Sequence, residues 1–493
     1  MTARLSYATL DGLKPDVLRP GYDRSRVTPG IVHLGIGAFH RAHMAVYVDS
    51  LLGEAPEWGI VGASLRRPDT KAALAPQDGF YTVAERDAAG TKCRVIGSVI
   101  GLLDARQEGE RLLGLMAAPQ IKIISLTVTE KGYCHDPATG ELDEQHPDII
   151  HDLAHPEAPV SAPGLIVSAL ERRWLAGVPA FAVMSCDNLP ANGETVARIV
   201  TRLAELRSAQ LGDHVRRHVA FPSTMVDRIV PATTDADRQE VEERLGVTDA
   251  WPVVTEPFTQ WVIEDRFPGG RPPFQKVGAQ LVAHVEPFEK MKLRMLNGSH
   301  STLAYLGYLA GHQYVAEVMQ SPDFVGLIRG LMTEEVMPTL DMPGTDLGAY
   351  RDELLARFAN PALKHKTWQI AMDGSQKLPQ RLLGTIRDRL GKAQRIDRLA
   401  LGVAAWMRYV TGVDEQGEPI EVKDPLAGKM RAIADGAGQD AIRLVVGLLT
   451  LGEVFGRDLP QNEVFREAVT RHLKSLFENG SAATVAMMGK IAK

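Results

Sequence analysis

The sequence predicts an α/β protein: an N-terminal domain built on a doubly wound parallel sheet, followed by a mainly α-helical C-terminal domain. Three observations lead there. Short, wholly apolar runs alternate with helical patterns through the first half of the chain. The first of those runs ends in a glycine turn that opens a helix. From about residue 287 the strand signals stop and helical periodicity takes over. Buried strands alternating with helices are the mark of a parallel sheet covered on both faces.

Taken in order, IVHLGIG (31–37) predicts the first strand and FHRAHMAVYVDSLL (39–52) the helix after it. WGIVGASL (58–65) predicts a second strand, and FYTVAER (80–86) with KCRVIGSVIG (92–101) an inserted antiparallel pair. A helix near 106–117 leads to IKIISLTVT (121–129), which is too apolar for a half-exposed strand. SAPGLIVSALERRWLAG (161–177) reads as a helix and FAVMSCD (181–187) as another buried strand. A last strand-like run, 277–285, passes into a helix at AHVEPFEK. The domain boundary is expected there, giving a dinucleotide-binding domain over 1–284 and a helical substrate domain over 285–493. Helices are predicted at 288–312, 323–335, 346–358, 377–391, 394–411, 438–454 and 462–478, with Pro338, Gly344, Pro361, Gly374 and Gly412 between or near them.

A chain of 493 residues is long enough for two or three domains and a large core. Its net charge of -6 argues against a dedicated nucleic-acid binder, which carries a basic surplus. The three cysteines, Cys93, Cys134 and Cys186, form no CxxC pair, so neither a disulfide framework nor a cysteine-rich zinc site is expected. The N-terminus has no apolar leader segment, and no run approaches the roughly 18–20 apolar residues of a membrane span. A cytoplasmic protein without membrane or nucleic-acid partners is expected.

The first candidate site is the glycine turn. Gly35 and Gly37 stand directly after a strand and before a helix, the context a Rossmann-type dinucleotide fingerprint requires. Gly35 permits the tight turn, and Gly37 lets a pyrophosphate approach the backbone. His40 stands where the third glycine would be. Ala38 and Phe39 complete the expected cofactor-binding set. Asp69, after the second strand, is the candidate for the adenosine ribose hydroxyls. Arg66 and Arg67 beside it are able to accommodate a 2′-phosphate, and NAD is expected over NADP.

The second candidate site lies in MKLRMLNGSHST (291–302). Asn297 and His300 are three apart and share a helical face. Lys292 lies about 12 Å along the axis from His300 at 1.5 Å per residue. A lone lysine or histidine on a helix is usually a snorkelling or satisfied residue. Three polar groups together, beside a dinucleotide turn, point to hydride chemistry. A partly desolvated lysine can carry the proton, and an asparagine amide can stabilise the developing oxyanion. None of the ten tyrosines has a lysine four residues later, and no Cys/His cluster suggests catalytic zinc.

These stretches resemble the long-chain polyol-specific dehydrogenases, which include mannitol 2-dehydrogenases and sugar-acid reductases. The resemblance covers essentially the whole chain. It is carried by GIGAFHRAH (35–43), SLTVTEKGY (125–133), SCDNLPANG (185–193), FPSTMVDRIVP (221–231), KLRMLNGSH (292–300) and DGSQKLPQR (373–381). It implies a Rossmann-type domain, a helical domain, a site in the cleft between them and no metal. It further implies Lys292 as general acid/base, Asn188 and Asn297 as the oxyanion hole and His300 as a substrate-positioning residue. Lys377 would bind substrate, Glu289 would serve proton passage, and Asp227 joins the substrate set. EKMKLRMLNGSHSTLAYLGYLAG, HKTWQIAMDGSQKLPQRLLG and GVDEQG are most similar to the fructuronate reductase (D-mannonate oxidoreductase) branch. Mannitol-type members carry an arginine at the position of Gln369 and a small residue at that of Arg294. A uronate carries a carboxylate, for which Arg294, Lys377 and Arg381 supply candidate charge. The expected activity is NAD-dependent interconversion of D-fructuronate and D-mannonate by a monomer or small homo-oligomer. The alternatives are a mannitol 2-dehydrogenase or related polyol dehydrogenase and, more distantly, a non-enzymatic NAD-binding regulator.

Overall fold

The computed structural model describes residues 3–136 and 139–491, leaving aside the side chains of 489–491. Its contacts divide the chain into two compact units, Met1–Glu286 and Pro287–Lys493.

The strands of the first unit are β1 (Pro29–Leu34), β2 (Gly59–Ser64), β3 (Tyr81–Asp87), β4 (Gly90–Ile96), β5 (Val99–Asp104), β6 (Ile123–Leu126), β7 (Ala182–Ser185), β8 (Thr224–Asp227), β9 (Val253–Thr255), β10 (Gln260–Glu264) and β11 (Gln280–Val282). The main sheet has the order β5-β2-β1-β6-β7 and is parallel throughout. From β1 the chain builds outward through β2 to β5, then returns to add β6 and β7 on the other side. The order therefore reverses between β1 and β6, as a doubly wound sheet requires. Alternate residues feed two cores. Val32, Leu34, Ile124 and Val183 pack on one side with Leu165 and Val196 of the covering helices. Ile31, Ile60, Ile123 and Met184 pack on the other with Met44, Val48 and Trp261. This burial on both faces explains why the strands read as continuous apolar runs.

The run 92–101 is not one strand. It breaks at Gly97 and Ser98 into β4, antiparallel to β3, and β5, which joins the parallel sheet beside β2. The break is chemical. The Gly97 N–H donates to Asp49 Oδ1 at 2.8 Å and the Ser98 hydroxyl to the Ala45 carbonyl at 2.7 Å, so these groups bond outside the ladder. The helix expected over 39–52 is likewise interrupted at His43 (φ -119°, ψ -94°), giving Ala38–Ala42 and Met44–Asp49. Two small sheets, β4-β3-β9 and β11-β10-β8, complete the unit.

The second unit is helical. Gly298–Leu309 and Asp397–Tyr409 run through its core, where Leu303, Leu306, Trp406, Phe455 and Leu473 are fully buried. The helix expected over 438–454 is two, Ala441–Leu448 and Gly452–Phe455, preceded by Ala427–Ala437. The last runs from Glu463 to Ile491 with a kink at Gly480 (φ 77°). Among the described residues three π-turns interrupt the helices: Lys292–Asn297, Leu331–Val336 and Pro379–Leu383. Among the described residues no helix is long and apolar enough to cross a membrane.

Both units bury neutral histidines. Burial pushes the His33 imidazole down to about 3, those of His365 and His472 to about 4, and those of His40 and His300 well below the usual range. In the unfolded chain each takes a proton near 6.5. Their contribution to stability is thus complete above that pH and is lost as the pH falls toward the folded values. Burial raises the carboxyls of Asp187, Glu335 and Glu415, which act with the opposite sign. Urea unfolding is expected to show a midpoint that drops between pH 6.5 and 5, as the unfolding free energy falls by up to about 1.4 kcal/mol per pH unit for each histidine. A midpoint unchanged over that range would contradict the assignment.

Candidate active site

In the first unit the candidate residues lie at or just beyond the carboxyl ends of β1, β2, β7 and β8. Gly35 has φ +90°, and a Cβ added to it would collide with the Thr127 carbonyl oxygen. No other residue meets both demands. Gly37 is exposed and has nothing within 3.9 Å of an added Cβ, so a ligand has room against its backbone. Ala38 and Phe39 follow, half-buried, at the start of the short helix. His40 is fully buried and stacks on His33, with ring centroids 3.4 Å apart and planes at 15°. His33 is held by Ser125 Oγ and Thr127 Oγ1, each at 2.8 Å. A third glycine would serve close packing of helix on strand. Here a pair of stacked imidazoles forms the floor of the turn instead.

The turn lies where the strand order reverses, between the ends of β1 and β6, which is the place an open α/β sheet offers a dinucleotide. With Gly35 forced and Gly37 uncovered, the residues present fit such a cofactor. Asp69 lies beyond the end of β2, exposed, in the first turn of the helix Asp69–Leu74. At the end of β7, the Asp187 carboxylate accepts the Val128 N–H (2.8 Å), the Thr129 N–H (3.2 Å) and the Tyr133 hydroxyl (2.7 Å). Burial raises this carboxyl, against the pull of those three donors. The bonds tie SCDN to SLTVTEKGY and fix the backbone from which the exposed Asn188 projects. Asp227 is buried at the end of β8, opposite Gln260 of β10. Cys134, His146 and Asp148 place a ligand atom each within 4.8 Å of one another. His146 Nδ1 accepts the Asp148 N–H there, as a cap on the helix Pro147–Ala154.

In the second unit the segment 286–309 is helical from end to end, but its middle is a π-turn. Glu286–Met291 and Gly298–Leu309 are α-helical, and across Lys292–Asn297 the ladder shifts so that the Gly298 N–H donates to the Leu293 carbonyl. The shift changes which residues share a face. At about 100° per residue, an ideal α-helix would set Lys292 roughly 140° from Asn297 and roughly 80° from His300. A π-turn takes up one extra residue, so these spacings of five and eight act as four and seven. The angles shrink to about 40° and about 20°. Lys292 thus joins Asn297 and His300 on one face, which α-helical spacing alone does not give. Lys292 is 8% and His300 7% exposed, and Asn297 and Glu289 are half-buried.

His300 stacks on Phe358 (5.2 Å, 24°) and meets the ring of His365 edge-on at 4.6 Å. Burial is the largest cause of its lowered pKa, followed by His365, Arg381, Arg357 and Lys377. His300 is therefore a neutral imidazole in cationic surroundings. Lys377 Nζ donates to the Met372 carbonyl at 2.6 Å, and Arg381 Nη1 donates to Ser301 Oγ at 3.0 Å. The expected helix 377–391 is Gly374–Leu378, the π-turn Pro379–Leu383 and Gly384–Leu390. An α-helical four-residue spacing therefore does not relate Lys377 to Arg381.

Arg294 corrects the sequence expectation. Its guanidinium is buried, donates to Thr339 Oγ1 at 2.7 Å and pairs with Asp388 at 2.6 Å, so it is engaged inside the helical unit rather than offered to substrate. Two residues beside His300 were not foreseen, Arg357 and His365. A signal existed for the first. Arg357 is a charged residue on the buried side of the helix Leu347–Phe358, alongside Tyr350, Leu354 and Phe358. His365 carries no such signal, since only tertiary packing brings it to His300.

Residues 29–276 match the mannitol dehydrogenase Rossmann domain, and residues 284–477 the mannitol dehydrogenase C-terminal domain. The chain is 50% identical over 470 residues to the uncharacterized oxidoreductase YdfI of Escherichia coli K12, covering 95% of this chain and 96% of that protein. It is also 50% identical over 479 residues to the D-mannonate oxidoreductase of the same organism, covering 96% and 98%. Among solved structures, it is similar to Pseudomonas fluorescens mannitol 2-dehydrogenase, determined as a ternary complex with NAD and D-mannitol. That match has 42% identity, a TM-score of 0.88 and 99% coverage of each chain.

Proposed function

The chain belongs to the mannitol dehydrogenase family, and from that premise we propose that it interconverts D-fructuronate and D-mannonate with NAD(H), the Lys292 amine carrying the proton. The observation that carries the choice of substrate is the cationic surrounding of the neutral His300, made by Arg357, Lys377 and Arg381. A uronate brings a carboxylate to such a place, and a polyol brings none. In a poorly solvated site the resulting attraction is far stronger than in water. The 50% identity to a D-mannonate oxidoreductase supports the same reading.

Bound NAD(H) supplies or accepts the hydride. Gly35, Gly37, Ala38 and Phe39 seat its phosphates, and Asp69 takes the ribose hydroxyls. In the direction of reduction the Lys292 ammonium donates to the alkoxide as it forms. The amides of Asn188 and Asn297 stabilise the same oxygen without a change of their own charge. His300, neutral, exchanges a hydrogen bond with a neighbouring hydroxyl. Glu289, three residues before Lys292, passes the proton to solvent. Lys377 and Arg381 take the carboxylate, and Asp227 contacts the sugar chain.

The test is a panel of uronates and ketohexoses, each with NADH and NADPH. D-fructuronate with NADH is expected to give the highest kcat/KM. The second reading, a polyol dehydrogenase with the same machinery, is favoured by the 42% identity to a mannitol 2-dehydrogenase, and a preference for D-fructose would select it. A preference for NADPH would transfer the ribose pocket from Asp69 to Arg66 and Arg67. Turnover of any of these substrates excludes the non-enzymatic regulator.

A further inference from the structure

We propose that Arg294 is a positioning residue: its buried guanidinium holds open the π-turn that carries Lys292 onto the face of Asn297 and His300. The inference rests on the reading of Lys292 as the proton carrier.

Arg294 lies inside that π-turn, two residues after Lys292. Its Nη1 reaches two partners that are distant in sequence. Asp388, at 2.6 Å, is on the helix Gly384–Leu390, directly after the π-turn Pro379–Leu383. Thr339, at 2.7 Å, closes the short turn Met337–Thr339, directly after the π-turn Leu331–Val336. One guanidinium therefore ties the Lys292 turn to the segments that follow the other two. Lys290 reaches the same Asp388 carboxylate at 3.6 Å. Burial would raise the Asp388 carboxyl, but Arg294 and Lys290 outweigh it and hold the group below the usual range.

The pairing and the turn depend on each other. If the segment relaxed to an α-helix, the residues before the turn would rotate by about 100° relative to Gly298–Leu309. Lys292 would leave the face of Asn297 and His300, and Arg294 would swing away from Asp388 and Thr339. Leaving a buried guanidinium without its carboxylate is strongly unfavourable. The π register is thus the one in which the arginine is satisfied. Gly298 adds to the same geometry. An added Cβ there would stand 2.7 Å from the Arg381 carbonyl oxygen, so only glycine lets the two π-turn segments approach this closely.

A clamp that merely stabilised the fold would not act through Lys292, and the full-length enzyme separates the two cases. Arg294→Met, Arg294→Lys and Lys292→Ala are assayed singly, with the double variant Lys292→Ala/Arg294→Met. Arg294→Met is expected to lower kcat about 10- to 100-fold, the scale of a misplaced catalytic group, with KM nearly unchanged and the pH profile of kcat displaced. Arg294→Lys, which keeps the charge, should recover much of the loss. In the Lys292→Ala background Arg294→Met should cost nothing further, because the group it positions is gone. A wild-type kcat and pH profile in Arg294→Met overturns the proposal. So does the same fold-loss with and without Lys292. If Arg294→Met does not fold, Asp388→Asn, altered at the half-exposed partner, takes its place in each measurement with the same two overturning results. Near wild-type kcat in Lys292→Ala alone would instead remove the proton-carrier reading.

Discussion

Lys292→Ala is expected to lower kcat by about 10² to 10⁴, the range typical of general acid–base help, with NADH affinity unchanged. The amine stands on one face with Asn297 and His300 only because of the π-turn Lys292–Asn297. The neighbouring ionisable groups are poor substitutes. Burial holds the His300 and His365 imidazoles neutral far below physiological pH, so neither carries a proton to give at pH 7. The guanidiniums of Arg357 and Arg381 do not release theirs. Lys292→Arg is the informative companion. It keeps the positive charge but cannot cycle a proton near neutrality, so it should be nearly as impaired as the alanine variant. Recovery of activity in Lys292→Arg would mean that charge alone is needed. Activity of Lys292→Ala within about tenfold of wild type would remove the residue from the chemistry. Unfolding curves for both variants separate a catalytic loss from the cavity left by a buried side chain.

What the sequence made legible was local. The glycine turn could be read because strand, turn and helix follow one another within fifteen residues and because Gly35 is fixed by its own backbone angle. Asn297 and His300 were legible because three residues is one helical turn. Two kinds of feature were hidden. The first is the π-turn, whose extra residue leaves no mark in the pattern of Leu293, Leu296 and Leu303. It is held by Gly298 against the Arg381 carbonyl and by Arg294 against Asp388, contacts made far along the chain. The same distant contacts hide the place of Arg294, which from sequence is only a candidate charge for a carboxylate, set about 200° from Lys292 on an ideal helix. The second kind is side chains gathered by packing. His365 reaches His300 from a segment with no helical or strand pattern, and Thr127 reaches His33 from just past the end of the neighbouring strand β6. The division of 92–101 between two sheets was hidden too, because the bonds of the Gly97 N–H to Asp49 and of the Ser98 hydroxyl to Ala45 are made with a distant segment.

Lys377→Met and Arg381→Met are expected to reduce kcat/KM for D-fructuronate far more than for D-fructose. Losing one charge-assisted hydrogen bond to a carboxylate costs about 1.5–3 kcal/mol, so the ratio of the two substrates should fall roughly 10- to 150-fold in each variant. The ratio is the right quantity because both side chains also serve the fold. Lys377 caps the Met372 carbonyl and Arg381 bonds Ser301 on the helix that carries His300. Loss of those bonds disturbs the site for either substrate and cancels in the comparison. What does not cancel is contact with a group that only the uronate possesses. Arg381→Lys refines the test, since an ammonium keeps the charge but not the planar fork that grips a carboxylate at two points. It should retain part of the preference, between Arg381→Met and wild type. An equal loss on both substrates in Lys377→Met and Arg381→Met would leave Arg357, the third cation beside His300, as the remaining candidate for the carboxylate. An unmodified enzyme that prefers D-fructose would place the chain among the polyol dehydrogenases and give these cations a purely structural role.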